Sequence, residues 1–110
     1  MAKAKKNVIR IIDVTNRDGV QTSRLGLAKL QKTMINIYLD KMGVFQSEFG
    51  FPFTHHEVNY LNANLELARR KVIDPMRLSG WIRAIDKDVK TAVKNTKVKY
   101  VNMSISTSEQ

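Results

Sequence analysis

The chain has 110 residues, a formal charge of +9, 26% charged residues and no cysteine. That length holds one small domain and not two, and an ordinary balance of apolar and charged residues excludes disorder beyond the ends. The lack of cysteine excludes disulfides, thiolate nucleophiles and Cys-ligated metals, which fits a cytoplasmic location, and no run approaches the roughly 18 to 20 continuous apolar residues of a membrane span.

Residues 1–6 form a basic tail with no signal-type apolar region behind it. Asn7 to Val14 reads as a buried strand, because Val8, Ile9, Ile11, Ile12 and Val14 make a short β-branched run interrupted only by Arg10 and Asp13. Turn chemistry from residue 15 to 24 ends it. Leu27, Leu30, Met34, Ile37, Tyr38 and Met42 then recur at three- and four-residue steps, the period of a helix with one apolar stripe, and Gly43 stands where a C-terminal cap is wanted. Val44 to Phe49 is a second strand, closed by Gly50-Phe51-Pro52. Thr54-His55-His56-Glu57 has the spacing of a capping box, and the helix behind it buries Val58, Leu61, Leu65, Ala68 and Val72. Met76 to Arg83 reads as a third strand, Asp86 to Thr96 as a short helix resting on Val89, Ala92 and Val93, and Val98 to Ser106 as a fourth strand.

The order βαβαβαβ, with strand starts about 30 residues apart, argues for an α/β fold with a parallel sheet and right-handed crossovers. Residues 1–110 are then a single partial TIM-barrel domain, four strands and three helices of an eight-fold (β/α)8 barrel. The last strand lacks the helix that would cover it, and an exposed parallel edge favours association, so a homo-oligomer is expected.

Chemical side chains fall just beyond the expected C-terminal strand ends, where parallel α/β proteins place active sites. Arg17, Asp18 and Gln21 offer a fixed cation, a hard oxygen ligand and an amide within five positions. On residue type alone, two readings stay open: a catalytic cluster, or an Arg-Asp pair bracing a tight turn around Gly19. Glu48 ends the second strand, Arg83 the third, and Ser106 to Ser108 follow the fourth. The net positive charge invites a nucleic-acid partner, but it is spread along the chain without an Arg-rich run or interleaved aromatics. A solvated basic surface that attracts small anions is the preferred reading, and a small basic nucleic-acid-binding or oligomerising half-barrel is the alternative.

Asp13-Val-Thr-Asn-Arg17-Asp18-Gly19-Val-Gln21, then Ser47-Glu48-Phe-Gly50-Phe51-Pro52, then Ser106-Thr107-Ser108, resembles the N-terminal half of the catalytic barrel of the 2-isopropylmalate, homocitrate and Re-type citrate synthases. The fuller strings around Asn16 to Leu25 and Gly80 to Ile85 look most like the homocitrate and Re-citrate branch. Asn16 and Val20 depart from the family's commoner Leu and Glu.

The resemblance implies an acyltransferase that condenses acetyl-CoA with a 2-oxo acid in a Claisen-type reaction dependent on Mg²⁺ or Mn²⁺. It implies Asp18 as a metal ligand, Arg17 as the group that stabilises the developing oxyanion, and Glu48 as the residue that orients Arg17 or meets the substrate. Gln21 falls on the acetyl-CoA side, Arg83 at the distal carboxylate of the 2-oxo acid, and Thr107 at the substrate. Plainer roles stand beside these: an Arg17–Glu48 pair bracing the sheet end, a surface Arg83, Thr107 and Ser108 as helix caps, and His55-His56 as exposed cap residues. The family's His-x-His metal ligands belong to a later strand and do not occur here, so the chain alone is expected to be inactive.

Overall fold

The computed structural model describes residues 6–108, which places most of the basic tail outside the described residues. Four strands, β1 (Ile12–Asp13), β2 (Gln46–Gly50), β3 (Arg77–Arg83) and β4 (Tyr100–Ser104), alternate with three helices, α1 (Lys29–Lys41), α2 (His55–Arg69) and α3 (Asp86–Asn95). The strands lie side by side in the order β1-β2-β3-β4, all parallel. That is the α/β architecture expected from the repeat of strand and helix signals.

Helix ends follow the local chemistry closely. Thr54 caps α2, its hydroxyl accepting the Glu57 N–H at 3.4 Å. The Glu57 carboxylate does not close the box; it turns to Lys32 of α1, 2.7 Å away. Helix α1 ends with Gly43 at φ +81°, where the Gly43 and Val44 N–H groups take the carbonyls of Asp40 and Leu39. Helix α2 ends in the same double hydrogen bond, from Lys71 and Val72 to Ala68 and Leu67, but there the left-handed position holds Lys71 at φ 63°.

Three expectations are corrected. The strand expected over Asn7 to Val14 pairs only at Ile12 and Asp13, and its apolar side chains are exposed, Ile9 at 88%. It is the sheet edge, with a neighbour on one side only. Most of the apolar stripe of α1 is also outside: Leu30, Met34, Tyr38 and Met42 are exposed, Ile37 packs partly buried against the core, and Lys32 and Asn36 are buried. Those two residues stand two positions from Leu30 and Met34 or Tyr38, nearly the opposite side of a 3.6-residue turn. A set of polar partners from Asn16, Ser47, Tyr60 and Asn64 draws that side inward. In α3 the buried side is Asp88 and Ala92, not Val89 and Val93, because Asp88 is clasped by Arg83.

The sheet has two unlike faces. On one, Ser47 meets Asn36 of α1, and Phe49 and Leu78 pack with Tyr60 and Leu61 of α2, together with Ile73 and Met76, as the core. On the other, Gln46, Glu48, Ser79 and Asn102 are joined across three strands by their side chains. The alternation of strand residues turns Ser47, Phe49 and Leu78 to the helices and Gln46, Glu48, Ser79 and Asn102 to this inner face.

Candidate active site

The loop behind β1 is built by two local devices. The Asp13 carboxylate accepts the Thr15 N–H at 2.9 Å and the Thr15 hydroxyl at 3.1 Å, which turns the chain out of the strand. The Val14 carbonyl then accepts the N–H groups of Arg17, Asp18 and Gly19 at 3.2, 2.8 and 3.1 Å. A 3₁₀ turn, Gly19–Gln21, follows. Arg17 is thereby delivered to the C-terminal end of the sheet.

There its guanidinium meets three groups. Nε donates to Glu48 Oε1, Nη1 donates to Asp18 Oδ1 at 3.1 Å, and the guanidinium carbon lies 5.2 Å from the centre of the Trp81 ring. Phe51 packs edge-on against the same ring at 5.2 Å. The Arg17 side chain is 17% exposed and that of Glu48 is 6% exposed, whereas that of Asp18 is 60% exposed. The cation is thus fixed between a buried carboxylate and an aromatic face, a geometry that guanidinium tolerates better than ammonium.

Glu48 is itself held from behind. Its Oε2 accepts from Asn102 Nδ2, which also donates to Ser79 Oγ at 3.3 Å. Gln46 Nε2 donates to Ser79 Oγ at 3.1 Å and Asn102 Oδ1 at 3.2 Å, and Ser79 Oγ donates to the Ser47 carbonyl at 3.3 Å. Both Glu48 oxygens therefore have donors. Such a satisfied network fixes a charged pair where a half-satisfied one would not.

The sequence-derived residues do not all meet. Arg17, Asp18 and Glu48 form one cluster. Arg83 is engaged instead by Asp88 in a two-pronged pair, Nε to Oδ2 at 2.9 Å and Nη2 to Oδ1 at 3.0 Å, and the Arg83 N–H also donates to Oδ2 at 3.1 Å. These Arg83 donors hold the Asp88 carboxyl below the usual carboxylate range. Gln21 is exposed in the 3₁₀ turn, and Thr107 is exposed beyond β4, between Ser106 and Ser108, whose hydroxyls lie 3.1 Å apart. His55 and His56 are exposed at the start of α2. Gln46, Ser79 and Asn102 had no part in the reading from sequence, and Trp81 had no role. Sequence carried no clear signal for them, because the network is assembled by strand register across β2, β3 and β4.

Asp18 is a hard oxygen ligand with one oxygen turned to Arg17. Among the described residues no three His, Asp or Glu side chains gather where a metal ion could be held. These residues alone therefore do not make a divalent-metal site. A cavity of about 810 Å³ lies at the opposite pole of β3 and β4, lined by Leu65, Met76, Arg77 and Tyr100 among others, and no residue of the Arg17 cluster lines it.

The fold and this rim define a piece of a TIM-barrel protein: residues 8–110 match the HMGL-like family, and the chain belongs to it, forming a partial half of that barrel. Among individual relatives it is similar to the citrate (Re)-synthase of Dehalococcoides mccartyi strain CBDB1, 67% identical over 103 residues that make up 93% of this chain and 25% of that protein. It is also similar to 2-isopropylmalate synthase 2 of Caldanaerobacter subterraneus subsp. tengcongensis, 33% identical over 109 residues, 99% of the chain and 27% of the relative. The 2-isopropylmalate synthase of Campylobacter hominis is 31% identical over 108 residues, 94% of the chain and 20% of the relative. The chain spans about a quarter of the length of the curated relatives it matches.

Proposed function

We propose that this chain is part of an acyltransferase that condenses acetyl-CoA with a 2-oxo acid, of the citrate-forming branch, with homocitrate and 2-isopropylmalate formation as the neighbouring specificities. The observation that carries the reading is the fixed Arg17 guanidinium at the C-terminal rim, braced by Glu48 and Trp81, in a chain 67% identical to a citrate (Re)-synthase.

In this reaction a base removes a proton from the acetyl methyl group, the resulting carbanion forms a carbon–carbon bond to the ketone carbon, and the ketone oxygen takes up the electron pair and then a proton to become a hydroxyl. Water then cleaves the thioester and releases the free thiol. Arg17 is suited to the second step, because a cation aimed at an oxygen that gains charge stabilises the transition state more than the ground state. Glu48 neutralises Arg17 at rest and fixes its direction, while Asn102 fixes Glu48. Arg83 uses Nε and Nη2 for Asp88 and leaves Nη1 for the distal carboxylate of a dicarboxylic 2-oxo acid. Gln21 lies on the acetyl-CoA side and Thr107 at the substrate. A divalent metal, Mg²⁺ or Mn²⁺, would supply polarisation of the ketone, with Asp18 as one ligand and the others from outside the described residues. No helix of the described residues is long and apolar enough to cross a membrane.

The test is a chimera in which these 110 residues replace the corresponding segment of the D. mccartyi relative. It is assayed with acetyl-CoA, Mg²⁺ or Mn²⁺ and a panel of oxaloacetate, 2-oxoglutarate and 2-oxoisovalerate. Release of free CoA thiol dependent on one of the dicarboxylates is expected. A folded chimera that condenses none of the three would contradict the reading.

A further inference from the structure

Asn16 is the one buried residue of the described segment 6–31, at 0% exposure. Its Nδ2 donates to the Lys32 carbonyl at 2.8 Å, to Asn36 Oδ1 at 2.9 Å and to Tyr60 Oη at 3.4 Å. Asn36 Nδ2 continues the chain of bonds to Tyr60 Oη at 2.9 Å and Asn64 Oδ1 at 3.0 Å, and Ser47 Oγ donates to Asn36 Oδ1 at 3.0 Å. One side chain thus ties the β1–α1 loop to α1 and α2 directly, and through Asn36 to β2. The next residue is Arg17.

We propose that Asn16 is a positioning residue: its amide pins the loop from behind, so that the Arg17 guanidinium stays on Glu48 while the rest of the loop remains exposed. The anchor works through Nδ2 alone, because Asn16 Oδ1 is buried without a hydrogen-bond partner. The three acceptors have no other donor of comparable reach from this loop. A side chain without N–H donors at position 16 takes one donor from each of these oxygens, leaving Asn36 Oδ1 to Ser47 Oγ and Tyr60 Oη to Asn36 Nδ2, a cost the loop relieves by lifting away and taking Arg17 with it. A purely stabilising Asn16 would weaken the whole fold evenly. A positioning Asn16 releases Arg17 before the core opens. The proposal rests on the reading of Arg17 given above for its catalytic meaning, but its geometry is tested without catalysis.

The test is proton exchange by heteronuclear magnetic resonance on the ¹⁵N-labelled 110-residue chain. In the wild type, Asn16 Nδ2 and Arg17 Nε protons are expected to exchange through one opening, with the same dependence on low urea. Arg17 Nε exchange while Asn16 Nδ2 stays protected would overturn the proposal. In Asn16→Ala, and in Asn16→Leu, which keeps the volume, Arg17 Nε exchange should rise about tenfold or more while the Phe49 and Leu61 backbone amides keep their protection. Unchanged Arg17 protection with an intact core would likewise overturn it. In the chimera, turnover lost on Asn16→Leu should not add to that lost on Arg17→Ala, since both act through one guanidinium. Multiplying losses would contradict the positioning role. An Arg17→Ala chimera with normal turnover would contradict the catalytic reading of Arg17 and leave the exchange result standing.

Discussion

Arg17 is the residue on which the site converges, and its neighbours separate what was legible in the sequence from what was not. The Arg17, Asp18 and Glu48 cluster was legible because a strand ran into Asn-Arg-Asp-Gly and a second strand ended in Ser-Glu, and the structure joins Arg17 to both carboxylates. Asn102 was not legible: a single amide in the string Lys-Val-Lys-Tyr-Val-Asn has nothing to mark it until the register sets it beside Trp81 and its side chain reaches Glu48. Arg83 was legible as a strand-end cation but not its partner, since Asp88 is one of two acids in the first turn of α3 and only the fold turns it to Arg83. Asn102→Ala removes a donor from a buried carboxylate oxygen, so a loss of about 1 to 3 kcal/mol in unfolding free energy is expected, read by chemical denaturation. A loss within experimental error would mean that the inner-face network is not formed in solution. Asp18→Ala in the chimera should raise the Mg²⁺ or Mn²⁺ concentration needed for half-maximal rate, as an exposed ligand acts on metal occupancy more than on folding. An unchanged metal dependence would remove Asp18 from the metal site.

Elements were read well in kind and order, and less well in the face they bury. Periodicity finds an apolar stripe but cannot tell whether it faces this sheet or something beyond it. In α1 the stripe of Leu30, Met34 and Tyr38 is exposed because the inward side is claimed by hydrogen bonds from Asn36 and by the Lys32–Glu57 pair. Two substitutions test the local account. Lys71 holds a left-handed conformation that disfavours a side chain, so Lys71→Gly should stabilise the chain by about 1 kcal/mol in thermal or urea unfolding. Destabilisation would show that the end of α2 is held differently. Gly50→Ala should do the reverse, because a Cβ there meets Glu57 Oε2 and comes within 3.2 Å of Leu61 Cδ2. The Glu57 carboxylate would have to shift beside buried Lys32, and a loss of about 1 to 3 kcal/mol is expected from overpacking.

For the molecule as a whole, two groups with opposed shifts contribute to the pH dependence of stability. Asp88 has a depressed pKa caused first by its hydrogen bonds from Arg83, so its contribution is present above about pH 3.9 and is lost as pH falls through the folded value. Tyr60 has a raised pKa caused first by burial, so its neutral hydroxyl contributes fully below about pH 10 and the contribution is lost in strong alkali. Asp88→Asn should flatten the acid limb of a Tm-against-pH curve, and Tyr60→Phe the alkaline limb. If both limbs keep their slopes, other groups set those limits. The apolar side chains near both sheet edges, Ile9 and Ile11 on one side and Met103 and Ile105 on the other, are exposed among the described residues. Self-association at tens of micromolar is therefore expected in sedimentation, whereas a monodisperse monomer that melts cooperatively would show that these edges tolerate water. The most direct measurement of the central claim is the steady-state turnover of the chimera with Arg17→Ala, at saturating acetyl-CoA and the dicarboxylate it uses. The account predicts a fall in kcat of roughly 10²- to 10³-fold with little change in the acetyl-CoA KM, the mark of a cation aimed at developing charge. Near-normal turnover would reduce Arg17 to a brace at the end of the sheet.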